Sequence, residues 1–295
     1  MRSEDYSKRD RVIRHQTYAT VRRRDGVPQD LFARYWRDVH GPLCARLPGL
    51  GYYVQHHFDR SRGANLWPAA DGVRPITQML DGAAEIGFAS LEDQAAFSEA
   101  GAILFSDEAN FIGEAIAYNL PDGANTLVDR EENPAPNGAD HAHRLHVYMT
   151  RRKGAETDKW LSDSFAALAV APAVKKLRLH LPETYNNDHP APPSPNVCHR
   201  VEPERLDLAM VEIAFPSARV AREFFATSHF QRFVAAQPTY LAAIGAFLVS
   251  GIYTYVRNGA PTTAGLRGSS QAELIETMGA ANQRDERVAK LFVRT

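Results

Sequence analysis

The chain has 295 residues, 44% of them hydrophobic, and a formal net charge of −1 at pH 7. That length and apolar content allow two domains with real cores, and so balanced a charge excludes a nucleic-acid-binding protein that works by neutralising many phosphates. Two distant cysteines, Cys44 and Cys198, form neither a disulfide framework nor a metal-ligand spacing; no signal peptide is visible and no run of about 18 apolar residues could span a membrane, so a cytoplasmic protein is expected.

Residues 1–11 are charged. His15–Arg23 then alternates as a strand, with Thr17, Ala19 and Val21 turned toward helices and Gln16, Tyr18 and Thr20 toward the other side. After a turn at Asp25-Gly26, Phe32, Tyr35/Trp36, Val39/His40 and Leu43 recur at three- and four-residue steps, which predicts a helix. His40 falls one turn after Trp36 on its inward face, Gly41-Pro42 loosens the helix behind it, and Pro48-Gly49 ends it. Tyr52–Phe58 reads as a strand carrying Tyr53, Gln55 and His57 on one face and His56 on the other. A histidine on an apolar helix face is commonly a packed, hydrogen-bonded core residue. Space behind Gly41-Pro42, a polar strand opposite and an imidazole suited to proton transfer near neutrality favour a catalytic role for His40.

Residues 59–82 form a long irregular insertion whose Trp67 either caps an apolar ligand or pins the loop to the body. Ala84–Ala89 is a strand, Ser90 with Asp93 opens a second helix, and Phe111–Leu120 is the fourth strand. The order β-α-β-β-α-β over residues 12–123 is the split-βαβ, ferredoxin-like pattern. Residues 124–142 carry charge, Pro and Gly and read as a linker.

Residues 143–259 repeat the first unit faintly. Trp36 aligns with Trp160, Pro48 with Pro172 and His56 with His180, and Glu85–Ser90 aligns with Glu212–Ser217. The copies differ: His40 falls on Ser164, and Tyr53, Gln55 and His57 fall on Leu177, Leu179 and Leu181. Two accounts are open. The first half keeps the chemistry while the second became scaffold, or Tyr53, Gln55 and His57 face the helices and leave His56 and His180 on the cavity side. His146 and Tyr148 alternate with Leu145, Val147 and Met149 and correspond to Tyr18 and Thr20. Residues 182–206 form a second, proline-stiffened insertion, in which His189, Cys198 and His199 lack metal-ligand spacing. The tail, 260–295, carries a short helix from Ser269-Ser270 to about Met278, with Lys290–Thr295 read as a short strand.

The run Phe32, Tyr35, Trp36, His40, Gly41, Pro42 and Leu43, followed by Leu47-Pro48-Gly49 and by Tyr53, Gln55 and His57, resembles the EthD domain of the dimeric α/β-barrel superfamily. The resemblance implies an α+β fold in which one ferredoxin-like sheet closes against a second to enclose a cavity. With the internal repeat, that becomes two βαββαβ units fused into an intrachain dimeric α/β-barrel. Related barrels house cofactor-free isomerases, cyclases, dehydratases and decarboxylases, and also haem-dependent enzymes; EthD-type proteins are also found beside oxygenase systems.

Neither a phosphate loop nor a dinucleotide fingerprint, a nucleophile elbow or a clustered acidic metal motif occurs. The expected function is therefore a cofactor-independent lyase or isomerase acting by acid–base catalysis on a small apolar or aromatic oxygenated molecule, with no metal. His40, Tyr53 and His57 are the candidate catalytic residues; Tyr18, Trp36, Gln55, His56, Trp67, His146 and Tyr148 are candidates for binding substrate. A haem-linked enzyme and a non-catalytic carrier are the alternatives, and a homodimer of the fused chain is compatible with either.

Overall fold

The computed structural model describes residues 4–62, 66–152, 154–188 and 194–292. Strand β1 (His15–Arg23) forms on the alternating segment. Helix α1 (Gln29–Tyr35) runs into a wide π turn (Trp36–His40) and then α2 (Gly41–Cys44). Pro42 has no N–H to continue an α-helical ladder, and the chain absorbs this by widening the turn before it, where Gly41 N–H donates to the Trp36 carbonyl five residues back. The helix thus loosens at Gly-Pro without breaking. Strand β2 (Tyr52–Phe58), the short β3 (Arg74–Pro75), β4 (Gly82–Phe88), α3 (Leu91–Ala100), α4 (Ala102–Glu108) and β5 (Ile112–Leu120) complete the first βαββαβ order.

The stretch expected to be a linker is part of the sheet. It supplies β6 (Asn125–Asp129), which pairs with a strand of the second half, and β7 (Asn137–Ala139). Leu127-Val128 gives β6 enough apolar character to pair, and Pro134 and Pro136 confine the irregular backbone to the bend between the two strands. The second half follows as β8 (His143–Arg151), α5 (Ala155–Ala169), β9 (Lys176–His180), β10 (Leu208–Phe215), α6 (Ala218–Phe225), α7 (Ser228–Tyr240) and the long β11 (Leu241–Arg257), again β-α-β-β-α-β. After β12 (Ala260–Pro261), helices α8 (Thr263–Arg267), α9 (Ser269–Thr277) and α10 (Glu286–Ala289) form the tail. The tail packs on the helices of the first unit: Ser270 N–H donates to Asp38 Oδ1 at 2.8 Å, and Arg46 donates to the Leu266 carbonyl at 2.8 Å. Lys290–Phe292, expected as the start of a strand, instead continue the turn after α10, and residues 293–295 lie outside the described residues.

The strands run in the order β5-β1-β4-β2-β11-β8-β10-β9-β6. Strand β11 joins the two units, its first half pairing with β8 and its second with β2. The sheet curls until side chains of β1 meet those of β8, with the Tyr18 and Tyr148 hydroxyls 2.8 Å apart. The ring expected from the resemblance is not closed by strand pairing. Strand β6 takes the edge of β9 that a closed ring would offer to β5. The second insertion covers the exposed edge of β5: Cys198 N–H donates to the Gly113 carbonyl and Ala115 N–H to the Cys198 carbonyl, at 2.9 and 3.0 Å. Three apolar clusters result, one under the helices of each unit and one between the two half-sheets. None of the described helices is long and apolar enough to cross a membrane.

Candidate functional site

Both faces of β2 are buried, so period two alone cannot say which face meets the interior. Contacts decide it. Tyr53, Gln55 and His57 face the helices. The His57 ring stacks on Trp36 with centroids 4.5 Å apart, Gln55 Nε2 donates to the Trp36 carbonyl at 3.0 Å, and Tyr53 stacks on Tyr255 at 5.1 Å. Burial, with Arg37 nearby, pushes His57 down to about 3, so it is neutral. The room expected behind His40 is filled: a Cβ on Gly41 would sit 2.3 Å from Tyr255 Cζ. His40 lies in the same helical layer, where its Nδ1 is 2.9 Å from Asp107 Oδ2 and Tyr35 donates to Asp107 Oδ1 at 2.6 Å. Trp67 packs edge-on against Phe225, Phe230 and Phe233, which makes it the pin of the first insertion. The structure therefore brings His40, Tyr53, Gln55, His57 and Trp36 into the helix–sheet layer of the first unit, and Trp67 onto the helices of the second.

The other candidates meet between the half-sheets. Tyr18, placed on that face by the alternation of β1, lies 2.6 Å from His146 Nδ1 and 2.8 Å from the Tyr148 hydroxyl. The His56 and His146 rings have centroids 4.4 Å apart. Between His56 and His180 stands Glu85, fully buried, with its two carboxylate oxygens 3.1 Å from His56 Nε2 and His180 Nε2. Arg178 pairs with Glu85 at 2.6 Å and Gln16 donates to it as well. Glu212, the repeat partner of Glu85, is held by Arg144 and by Lys176 at 3.4 Å. Sequence reasoning aligned the two glutamates without seeing a role for them. The available signal was a carboxylate in the middle of an otherwise apolar strand, present in both copies (GAAEIGF and LAMVEIAF).

Burial raises the pKa of Glu85, but Arg178 and His180 outweigh it and hold the carboxylate well below its usual range. The same contest, led by Lys176 and Arg144, keeps Glu212 ionised. Burial, reinforced by His56, pushes His146 well down and leaves it neutral, while burial pushes the Tyr18 phenol well up and keeps its proton on. Three imidazole nitrogens here, His56 Nδ1, His146 Nε2 and His180 Nδ1, are buried without a hydrogen-bond partner among the described residues. A cleft of about 320 Å³ reaches this cluster, with Gln16, Tyr52 and Arg178 among its lining and residues 7–13 along its rim. A smaller hollow of about 10 Å³ touches His56, Glu131 and Lys176. Of the residues without metal spacing, His199 gives its Nδ1 to the Ala115 carbonyl at 2.9 Å, Cys198 lies beside β5, and His189 lies outside the described residues.

The family model of the EthD domain matches residues 24–115. That span lies within the first unit. Its matched span includes the helix with His40 and all of β2, and it supplies His56 and Glu85 to the interior cluster. Among solved structures, the chain is similar to a Fusobacterium nucleatum protein described as a candidate monooxygenase (5% identity, 85% of this chain and 96% of that one, TM-score 0.48). It is similar also to an anthrone oxidase-like protein (8% identity, 82% and 93%, TM-score 0.49). A third is a dye-decolorizing peroxidase from Bacteroides thetaiotaomicron (10% identity, 81% and 93%, TM-score 0.43). Comparison with curated protein sequences gives no match.

Proposed function

We propose that the chain is an enzyme of lyase or isomerase type that moves a proton on a small oxygenated molecule, with the cluster between the half-sheets as its site and no organic cofactor. The observation that carries this reading is the Glu85–His180 pair. Glu85 engages Nε2 of His180 and leaves Nδ1, buried and unpartnered, as the basic nitrogen. Ionisable groups are costly to bury, and clusters of them in a cleft mark sites of chemistry more often than sites of stability. Arg178 both lines the cleft and touches Glu85, so an oxygen bound by its guanidinium would lie beside the carboxylate that engages His180. Tyr18, kept protonated by burial, is the donor available to a developing oxyanion.

The cleft favours an anionic substrate over the apolar or aromatic one expected from the sequence. Lys8, Arg11 and Arg178 line it against a single acidic residue, Asp10. A haem does not fit these residues. The space between the half-sheets is filled by Tyr18, Phe58, Tyr148 and Phe247, whose rings pack on one another, and the lining of the cleft is largely polar.

Solvent-deuterium uptake into a panel of small keto- and hydroxycarboxylates tests the proposal. The wild-type chain should exchange at least one of them, and His180→Gln should slow that exchange by about 10²-fold or more. Unchanged exchange in folded His180→Gln refutes the assignment of the base. Saturable binding with no exchange of any member refutes the enzyme and leaves the carrier reading.

A further inference from the structure

We infer that His56, His146 and Glu212 form a binding site for one divalent first-row transition cation, with zinc as the reference ion. One donor atom from each of the three lies within 4.8 Å of the others, and all three residues are buried. Both imidazoles are held as metal-binding imidazoles are held, with one nitrogen fixed by a protein oxygen. His56 Nε2 is 3.1 Å from Glu85 Oε1, and His146 Nδ1 is 2.6 Å from the Tyr18 hydroxyl. The nitrogens left over, His56 Nδ1 and His146 Nε2, are the buried and unpartnered ones. Leaving one such nitrogen without a partner is costly; two on neighbouring rings point to a shared ligand.

Glu212 has an oxygen to give. Its Oε1 is engaged by Arg144 and Lys176, whereas Oε2 is approached by Arg178 only at 3.5 Å. The surrounding charge leaves room for a cation, because four carboxylates (Glu85, Glu131, Asp140, Glu212) stand against three bases (Arg144, Lys176, Arg178). Two imidazoles and one carboxylate suit zinc and its divalent neighbours; calcium and magnesium take oxygen donors. Metal–nitrogen bonds of about 2.0–2.1 Å set tetrahedral donors about 3.4 Å apart, so donor atoms that lie within 4.8 Å of one another must draw in by up to about 1.4 Å. The hollow lined by His56, Glu131 and Lys176 offers the way in. This site does not depend on the proton-transfer reading, whose base is His180.

Cobalt(II) titration of the full-length, chelator-treated chain tests it, read by visible d–d absorption, with zinc competition by calorimetry. One ion per chain should bind, with a spectrum of low-coordinate cobalt that zinc abolishes. His146→Gln and Glu212→Gln should each weaken binding by about 100-fold or more, and Tyr18→Phe by about 10-fold or more through loss of the oxygen that orients His146. Absence of saturable cobalt binding overturns the inference, as does unchanged affinity in His146→Gln with wild-type circular dichroism. If His146→Gln does not fold, unchanged affinity in Tyr18→Phe overturns it. Cobalt binding without deuterium exchange fails the functional reading alone; exchange without cobalt binding fails this one alone.

Discussion

Replacing Glu85 by Gln removes one negative charge from a site where no water can take its place. Glu85 is fully buried and Arg178 is 3% exposed, with 2.6 Å between the guanidinium and the carboxylate. Removing one partner of a buried ion pair costs roughly 3–5 kcal/mol, because the remaining charge is left uncompensated. Arg178 keeps a second carboxylate, Glu212, at 3.5 Å, which places the expected loss near the lower end, about 3 kcal/mol. Gln can still accept from one of the two histidines but not from both while its amide finds a partner, so the loss should not fall much below that figure. For a chain of this size, about 3 kcal/mol corresponds to a fall in Tm of roughly 5 °C. Urea and thermal unfolding followed by far-UV circular dichroism would measure it, with Arg178→Met and the double variant completing a cycle. The two single losses should couple by about 2 kcal/mol, because removing both charges relieves the uncompensated one. A Glu85→Gln chain within about 0.5 kcal/mol of wild type, or a cycle that is additive to that precision, would show that the interior charges are not paired as described.

Two further outcomes concern the helical layer of the first unit. Gly41→Ala should cost about 1–3 kcal/mol through overpacking, because its Cβ would overlap the Tyr255 ring, and the loss should shrink in a Tyr255→Leu background; equal losses in both backgrounds would refute the contact. Asp107 gives a pH signature. Burial raises its pKa, but the bonds from His40 and Tyr35 outweigh this and hold it below 3.8. A folded value below the unfolded one adds stability at pH above the unfolded pKa, and that stability is lost as pH falls through the folded value. Asp107→Asn should therefore flatten the acid limb of stability between roughly pH 5 and pH 2 in urea titrations; an acid limb as steep as that of wild type would contradict the pairing.

The sequence carried the strands well where clear turn signals bound them. His15–Arg23 and Tyr52–Phe58 form over the residues predicted, because β-branched and aromatic side chains alternate there between clear turn signals. It could not carry the pairing of β6 with β9. Asn125–Asp129 has too few apolar residues to stand out, and only the free edge of β9 makes it a strand. The site was half legible for a related reason. Tyr18, His56, His146 and Tyr148 were readable as polar aromatics on strands, and they do converge. Glu85, Arg178 and Glu212 were not, because an isolated charge in an apolar strand acquires meaning only from the strand that faces it. The room expected beside His40 was not legible either, because what fills it behind Gly41 is Tyr255, more than two hundred positions away in the chain.

The repeat itself explains why the interior cluster needs both halves. On the helix side, the first unit is polar (Tyr53, Gln55, His57) and the second apolar (Leu177, Leu179, Leu181). On the interior side the polarity is reversed: Tyr52, Val54 and His56 of the first unit correspond to Lys176, Arg178 and His180 of the second. A polar helix face is therefore no sign that the first unit alone kept the chemistry. The interior cluster pairs Glu85 of one unit with Arg178 and His180 of the other, across the curl of the sheet. A symmetric dimer of the second unit would set two copies of Lys176 and Arg178 about one axis, where like charges repel in a medium of low dielectric. A symmetric dimer of the first would leave Glu85 with no guanidinium from the facing strand. Joining two unlike units in one chain removes the symmetry requirement, and only then can one carboxylate be shared between His56, His180 and Arg178 while its repeat partner, Glu212, is left to face His56 and His146.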